Sequence, residues 1–305
     1  MSQQAAAEGA ADRAVWRGRV EIRESTRLHG EHHRLVLEAP QIAGAAEPGQ
    51  FLHLWVHDPV EIDRPPCAAI LRRPYSIARL LPPDGIEILL RVRGTGGRLL
   101  AAKRPGEYLD VIGPLGHGFR LPEGLRVALV VAGGAGLAPT PFLLERLAKR
   151  GVRTILLAGA TDDQKVPFRV QRPRAGRATV PELAALAGEV TFVSEQVEGL
   201  LITEVAEIRL GDLPSVGAEI FAIGPRAMLK RLAEVTGVHF PLQVSLEERM
   251  ACGVGACRSC VVPVRSDGVL SYRTVCRDGP VFYASTAHSP PGECALEVAW
   301  DHLDP

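Results

Sequence analysis

The 305-residue sequence has no excess of charge of either sign. It contains 35 Lys and Arg against 35 Asp and Glu, so its formal net charge is zero with neutral histidines. Proteins that bind nucleic acid or an anionic membrane surface usually carry a basic excess. The composition therefore gives no support to either class of partner.

Long hydrophobic runs are also absent. The longest apolar stretch, Val127 to Ala132, ends in two glycines and is far shorter than the roughly 20 residues that a membrane-spanning helix needs. The opening segment "MSQQAAAEGAADRAVW" lacks the basic flank and leucine-rich core of a secretory signal. We therefore expect a cytoplasmic protein. Disulfides are rare in that compartment, so a tight group among the six cysteines indicates metal binding.

The residue pattern predicts a multi-domain chain with an all-β part and an α/β part. Residues 1–16 form a predicted flexible tail. Residues 17–122 contain short alternating runs separated by Pro, Gly and Asp, which predicts an antiparallel β-barrel. Residues 123–240 alternate apolar runs, glycine loops and helical patterns, which predicts a parallel sheet. Residues 241–288 form a small ferredoxin-like cysteine module, and residues 289–305 form a C-terminal tail.

The cysteine module has a characteristic spacing. Cys252, Cys257 and Cys260 are arranged C-x4-C-x2-C, and Cys276 follows after fifteen intervening residues. Plant-type ferredoxins bind a 2Fe-2S cluster with this arrangement of thiolates. Small residues between the cysteines allow the backbone to approach the sulfides and to donate N–H hydrogen bonds to them.

Zinc and unligated buried thiols are the alternatives for this module. Structural zinc sites usually pair their thiols through short C-x2-C turns at both ends, whereas this sequence has one such turn and a solitary fourth cysteine. The spacing therefore favours the iron–sulfur cluster. Cys67 and Cys294 lie outside the pattern, and we expect both to be unligated.

A glycine loop follows the apolar run that ends at Ala132. Gly133, Gly134 and Gly136 precede a helix that Thr140 and Pro141 are expected to open. Glycines at a strand-to-helix junction allow the backbone to lie against a pyrophosphate at the positive end of the helix. A tight turn without a ligand is the alternative, because the loop is not the spaced G-x-G-x-x-G fingerprint.

Two segments of the predicted barrel have the composition of an anion site. "LRRPYSIARL" places Arg73 and Tyr75 on one strand face, where an arginine can hold a phosphate and a tyrosine can stack on a flat ring. "RVRGTGGRLL" supplies backbone N–H groups and Arg98. The alternative for the first segment is an edge strand with a solvated arginine. The alternative for the second segment is a hairpin turn.

In this order the segments resemble a known family. "RRPYS", "RGTGGRL", "GPLGHGF", "GGAGLAP", "AIGP" and "RMACGVGACRSC…CRDGPVF" are similar to segments of the electron-transfer subunit of class 1B dihydroorotate dehydrogenase, within the ferredoxin reductase superfamily. The resemblance covers residues 17 to 283 and implies FAD on the barrel, NAD(H) on the parallel sheet and a 2Fe-2S cluster. The implied FAD residues are Arg73, Pro74, Tyr75, Ser76, Gly94, Thr95 and Gly97. The implied nicotinamide residues are Gly133, Gly134, Gly136, Pro139, Gly224 and Pro225.

The three implied cofactors form a chemical sequence. A nicotinamide exchanges two electrons as a hydride and an iron–sulfur cluster exchanges one, so a flavin must stand between them. No site for a second small substrate is evident in the sequence. The resemblance implies an FMN-containing catalytic partner in a hetero-oligomer. Three alternatives remain. The chain could be a diaphorase subunit of a hydrogenase, sulfur-reducing or bifurcating complex, or a self-contained reductase for a monooxygenase. It could also be a non-catalytic redox sensor or a zinc-stapled nucleotide-binding module.

The segment after "TILLAGA" predicts the choice of nicotinamide cofactor. Thr161, Asp162 and Asp163 follow this predicted strand, and acidic groups there would repel a 2′-phosphate and suit free ribose hydroxyls. We therefore expect NADH to be preferred, although the arginines at 169, 172 and 174 act in the opposite sense.

Overall fold

The computed structural model describes residues 15–56, 71–174, 176–266, 268–284 and 297–303. Two β-sheets, with helices around the second, make up this part of the chain. None of the helices in the described ranges is long and apolar enough to cross a membrane.

The first sheet has seven antiparallel strands in the order β4-β3-β7-β1-β2-β6-β5. The strands are β1 (Trp16–Arg27), β2 (His32–Glu38), β3 (Phe51–Trp55), β4 (Arg73–Ser76), β5 (Arg79–Leu81), β6 (Gly85–Arg91) and β7 (Tyr108–Leu115). Two helices accompany them, α1 (Pro40–Ala43) and α2 (Gly94–Ala102). The glycines of "RGTGGRLL" begin α2, so the hairpin alternative for that segment is wrong. Closure of the sheet into a barrel stays a prediction.

The second sheet begins with five parallel strands in the order β10-β9-β8-β11-β12. They are β8 (Val127–Gly133), β9 (Arg153–Ala160), β10 (Glu189–Ser194), β11 (Ala218–Ile223) and β12 (Leu242–Ser245). The helices are α3 (Thr140–Lys149), α4 (Pro181–Ala184), α5 (Glu195–Glu198), α6 (Ile202–Leu210) and α7 (Arg226–Thr236). Every residue of β8 and β11 is buried, because a central parallel strand is covered on both faces.

The same sheet continues with four further strands, which make it mixed. They are β13 (Val261–Ser266), β14 (Val269–Thr274), β15 (Val281–Tyr283) and β16 (Glu297–Val298). β15 pairs antiparallel with β12, and the order continues β15-β16-β13-β14. The cysteine module is thus hydrogen-bonded to the parallel strands, and β16 lies in the segment that the sequence assigns to the tail.

The two sheets are in direct contact. Phe142 of α3 packs in the core of the first sheet, and Arg79 Nε lies 2.8 Å from Glu145 Oε1 across the same boundary. The His117 N–H, just after β7, donates a 2.6 Å hydrogen bond to the Gly279 carbonyl of the cysteine module. These contacts connect the first sheet with the parallel strands and with the cysteine module, which carry the three predicted sites.

Candidate functional site

The four cysteines of the module come from a loop and a turn at one end of the second sheet. Cys252 and Cys257 lie in the loop before β13, and Cys260 directly precedes that strand. Cys276 lies in the turn after β14. Cys260 and Cys276 are buried, Cys252 is half-buried and Cys257 is exposed. The fold therefore brings together cysteines that are up to 24 positions apart in the sequence.

Backbone N–H groups point at the thiols. The Gly255 N–H donates to Cys276 Sγ at 3.1 Å, and the Cys257 N–H donates to Cys252 Sγ at 3.4 Å. Gly255 has a φ of 82°, a backbone conformation that glycine adopts without strain. N–H donors of this kind stabilise thiolate ligands and tune the potential of a bound cluster.

The thiols interact with one another: Cys257 with Cys252, and Cys276 with both Cys260 and Cys252. Hydrogen bonds lower the pKa of Cys257 to about 6, and the largest effect comes from the Ser259 side chain at 3.2 Å. Burial raises the pKa of Cys276 to about 12. In the described ranges, no three His, Cys, Asp or Glu side chains converge as one metal ion would require. A 2Fe-2S cluster is held by four thiolates, and the fold brings four thiols to one end of the second sheet.

The flavin motif lies on β4, antiparallel to β3. Its first arginine, Arg72, donates to Asp110 Oδ1 at 2.5 Å and to the Asp110 carbonyl at 2.9 Å. Arg73 differs, because its Nε is buried without a hydrogen-bond partner among the described residues. Tyr75 is half-buried, and burial raises the pKa of its phenol. Among the described residues, Arg73 Nε therefore has no partner, whereas Arg72 is held by Asp110.

The N-terminus of α2 lies beside Arg73. A Cβ added at Gly96 would overlap Arg73 Nε and crowd its Cδ and Cζ, so only glycine permits this close packing. Gly94, the first residue of α2, has a φ of 58° and open space where a Cβ would stand. An arginine with a free Nε next to the positive end of a nine-residue helix suits a phosphate group.

The predicted nicotinamide residues meet at the carboxyl ends of β8 and β11. A Cβ at Gly136 would overlap the Ile223 carbonyl oxygen and stand 2.9 Å from Gly224 N, and one at Gly133 would stand 3.1 Å from Pro225 Cδ. Gly134 begins a 3₁₀ turn with a φ of 54°, and its missing Cβ would face open space. Pro139 directly precedes α3. The crevice beyond the carboxyl ends of parallel strands is the usual ligand site of such sheets.

The acidic residues after β9 are already engaged. Asp162 Oδ1 accepts a 2.7 Å hydrogen bond from Gln164 N. Asp163 receives two hydrogen bonds from Arg172, at 2.7 and 3.1 Å, and Arg172 also pairs with Glu198. The sequence pattern predicts that these acids and arginines have opposing effects on a ribose phosphate. In the structure, Asp163 and Arg172 neutralise each other.

His53 is a residue of this region that the sequence analysis does not single out. It lies on β3 opposite Pro74 of the flavin motif, and a Cβ at Gly253 of the cysteine loop would overlap its ring. It is fully buried, and neither ring nitrogen reaches hydrogen-bond geometry with the described residues. Burial, and then the charge of Arg72, lower the pKa of His53 to about 4 despite the opposing effect of the nearby Cys252 backbone. The imidazole between the flavin motif and the cysteine loop is therefore neutral.

The two cysteines predicted to be unligated, Cys67 and Cys294, lie outside the described residues. Roles for the remaining predicted site residues stay predictions, although the structure places them in three groups. These are the cysteine loop, β4 with the start of α2, and the crevice beyond β8 and β11.

Comparison with known proteins gives consistent matches. Residues 247–287 match the family model "Iron-sulfur cluster binding domain of dihydroorotate dehydrogenase B". The electron transfer subunit of dihydroorotate dehydrogenase B (NAD(+)) from Bacillus velezensis is 35% identical over 267 residues, which cover 86% of this chain and 95% of that protein. The subunit of the same name from Geobacillus thermodenitrificans is 36% identical over 88% of this chain and 98% of its own length.

Solved structures share the fold. The NADH-dependent reduced ferredoxin-NADP oxidoreductase, described for flavin-based electron bifurcation, matches with a TM-score of 0.71 and 23% identity over 93% of this chain and 91% of its own. Phthalate dioxygenase reductase matches with a TM-score of 0.55 and 16% identity over 86% of this chain and 77% of its own. At these identities the likeness extends to the fold alone.

Proposed function

The chain belongs to the family of electron transfer subunits of dihydroorotate dehydrogenase B, and we propose that it relays electrons between NAD(H) and a catalytic partner subunit. The relay uses FAD and a 2Fe-2S cluster. The observation that carries the proposal is the group of four thiols in a loop and a turn, which lies inside the matched iron–sulfur domain. Gly253 of that loop packs on His53 of β3, the strand that pairs with β4.

Cys252, Cys257, Cys260 and Cys276 are the proposed ligands of the cluster. Their donor set is chemically suited to iron, and the N–H groups of Gly255 and Cys257 supply hydrogen bonds to the thiolates. The exposed Cys257 marks the side from which a partner's redox centre can approach.

The FAD residues are those of β4 and the start of α2. Arg73 and the N-terminus of α2 at Gly94, Thr95 and Gly97 hold the pyrophosphate. Pro74 fixes the strand, and the side chains of Tyr75 and Ser76 contact the flavin ring. Arg72 positions this strand through its bond to Asp110.

The nicotinamide residues are those of the crevice beyond β8 and β11. The glycines at 133, 134 and 136 admit the cofactor's phosphates to the backbone, and Pro139 leads the chain into α3. Gly224 and Pro225 lie at the reactive end. When bound, flavin takes up the two electrons of a hydride and releases them singly, as this combination of partners requires.

The alternatives receive less support. The bifurcating oxidoreductase has the same fold at 23% identity, whereas the curated relatives at about 35% identity are named as dihydroorotate dehydrogenase subunits. A zinc-stapled module is disfavoured by the match of residues 247–287 to an iron–sulfur domain. We further propose 17–122, 123–240 and 241–288 as the FAD, NAD and cluster units of the chain.

The test begins with anaerobic purification. The protein is expected to be brown and to contain FAD with about two irons and two acid-labile sulfides per chain. Cys257→Ser should lose the iron, and Cys67→Ser should retain it. Stoichiometric zinc without sulfide would contradict the proposal.

The activity assay separates the relay from a complete enzyme. The purified chain should catalyse reduction of an artificial dye by NADH. Its kcat/KM should be higher with NADH than with NADPH. Dihydroorotate oxidation should appear only after an FMN-containing catalytic subunit is added. Dihydroorotate oxidation by the isolated chain at an enzymatic rate would show that it has a substrate pocket of its own.

A further inference from the structure

A pocket of about 410 Å³ lies beside the cysteine loop. Gly255 of that loop, Arg258, three residues of β14 and the turn after it form its walls, and His117 closes the side toward the first sheet. Its volume is within the range of pockets that receive a small ligand or a few side chains. Among its lining residues, Gly255 has a role in the relay through its backbone N–H, and the side chains of the pocket have none in the functions proposed above.

The pocket carries an excess of positive charge. Arg258, Arg273 and Arg277 line it against one carboxylate, that of Asp278. Asp278 Oδ2 is already held by the backbone N–H of Thr274 at 2.7 Å and by its hydroxyl at 2.9 Å. The guanidinium groups of the three arginines form no ion pair with the described residues. Three like charges around one small space repel each other, and an anion placed between them relieves that repulsion.

The backbone holds one of these arginines in a costly conformation. Arg258 has a φ of 57°, and it is the one non-glycine residue of the described chain with a positive φ. For a side chain other than Gly, Asn or Asp, this conformation costs about 1 kcal/mol or more. Arg258 follows the exposed Cys257 directly, so one wall of the basic pocket is formed by the neighbour of the accessible thiol.

The surroundings of the pocket favour a protein as the source of the anion. Tyr272 in its wall is 54% exposed, and Val254 in the adjoining loop is 44% exposed. Exposed tyrosine, arginine and aliphatic side chains together are typical of a protein interface, where arginine and tyrosine often contribute most to binding. A site for a free anion needs no apolar side chains exposed around it.

We infer that this pocket receives an acidic side chain of the catalytic subunit and so sets the position of that subunit over Cys257. The inference rests on the proposed relay and names the chemistry of its docking contact. A carboxylate from the partner forms charge-assisted hydrogen bonds with the arginines, while Val254 and Tyr272 pack around it.

Charge reversal at Arg273 tests the inference in the holoprotein. Arg273 is exposed on β14 and forms no hydrogen bond or ion pair with the proposed cofactor residues, within the part of the chain that the structure describes. With the FMN-loaded catalytic subunit at about 50 mM salt, Arg273→Glu should raise Kd roughly tenfold or more, and Arg273→Gln should raise it less. The difference in Kd between Arg273→Glu and the wild type should become smaller at about 0.5 M salt, because salt screens the interaction between the charges. Lys230→Glu, the same charge change on the exposed face of α7, is the matched control and should leave Kd unchanged.

The outcomes distinguish this inference from the relay itself. NADH-dependent dye reduction and the visible spectrum should be the same in Arg273→Glu and in the wild type. If Arg273→Glu binds the catalytic subunit as tightly as the wild type at both salt concentrations, the inference is wrong and the relay stands. It is equally wrong if millimolar inorganic phosphate occupies the pocket while the partner's Kd does not respond to the substitution. A wild-type holoprotein that neither binds nor reduces the catalytic subunit would overturn the relay instead.

Discussion

His53 is the buried residue that connects the flavin strand with the cysteine loop. Its neighbours, Pro74 on β4 and Gly253 of the loop, are distant in the sequence, so no local pattern indicates their contact. The cysteine ligands are different, because three of them lie within nine residues and their spacing alone predicts the cluster. Sequence therefore predicts the ligands of this site, and only the fold shows that His53 packs against the loop that carries three of them.

His53→Ala is expected to make the cluster labile while FAD is retained. Removing the imidazole leaves a cavity beneath Gly253, and truncations of this size in a core cost about 2–5 kcal/mol. Because neither ring nitrogen has a hydrogen-bond partner among the described residues, His53→Leu fills the space at little cost. The measurement is the rate at which the visible absorbance of the cluster is lost in air.

His239→Ala is the control for this pair of variants, since His239 is exposed and its truncation should not change that rate. If His53→Ala lost its cluster no faster than the wild type, the contact with Gly253 would not support the loop. If His53→Leu were as labile as His53→Ala, the polar ring rather than its volume would be required.

At the scale of the elements, β4 and the start of α2 lie together, and we propose that they form one anion site. The sequence predicts both segments and names Gly94, Thr95 and Gly97, but it does not single out Gly96. The reason is that the importance of Gly96 comes from its contact with Arg73 across the sheet, which depends on how α2 packs. Local composition predicts that a glycine-rich segment binds an anion, and it does not identify the glycine that makes room for the arginine.

Gly96→Ala is expected to weaken FAD binding without unfolding the protein. The added methyl overlaps Arg73 Nε and moves the guanidinium from the N-terminus of α2. Alanine is also a better helix former than glycine by about 1 kcal/mol, so α2 itself does not lose stability. We expect FAD affinity to fall about tenfold or more, since a charged hydrogen bond contributes roughly 1.5–3 kcal/mol. Fluorescence titration of the flavin-depleted protein measures this.

Two further variants separate the mechanism from a general effect. Gly124→Ala is the control, because a Cβ there meets no atom within 4 Å, and its FAD affinity should equal that of the wild type. In the Arg73→Ala background, Gly96→Ala should cause little additional loss, because the group that it displaces is already gone. Fully additive losses would show that Gly96 acts independently of Arg73.

At the scale of the whole molecule, the second sheet joins the parallel strands to the cysteine module. β12 pairs with β11 on one side and with β15 on the other. One hydrophobic core contains Val131 and Ile220 of the parallel strands together with Val262 and Phe282 of the module. The sequence predicts two units that meet near residue 240, because the change of pattern is local, whereas strand pairing between 243 and 283 has no local signal. The described structure therefore predicts that the two units unfold together.

Phe282→Ala tests this coupling because Phe282 is 3% exposed within the shared core. Its truncation should cost about 3–5 kcal/mol and should lower the midpoint temperature of unfolding for both units equally. Far-ultraviolet circular dichroism follows the helices around the parallel strands, and visible absorbance follows the cluster. The two signals should change at the same temperature in the wild type and at the same lower temperature in the variant.

Val216→Ala is the control, since its side chain is 69% exposed, and it should leave both transition temperatures unchanged. Loss of cluster absorbance well below an unshifted helical transition would mean that the module unfolds alone and that the β12–β15 pairing does not couple it to the parallel strands.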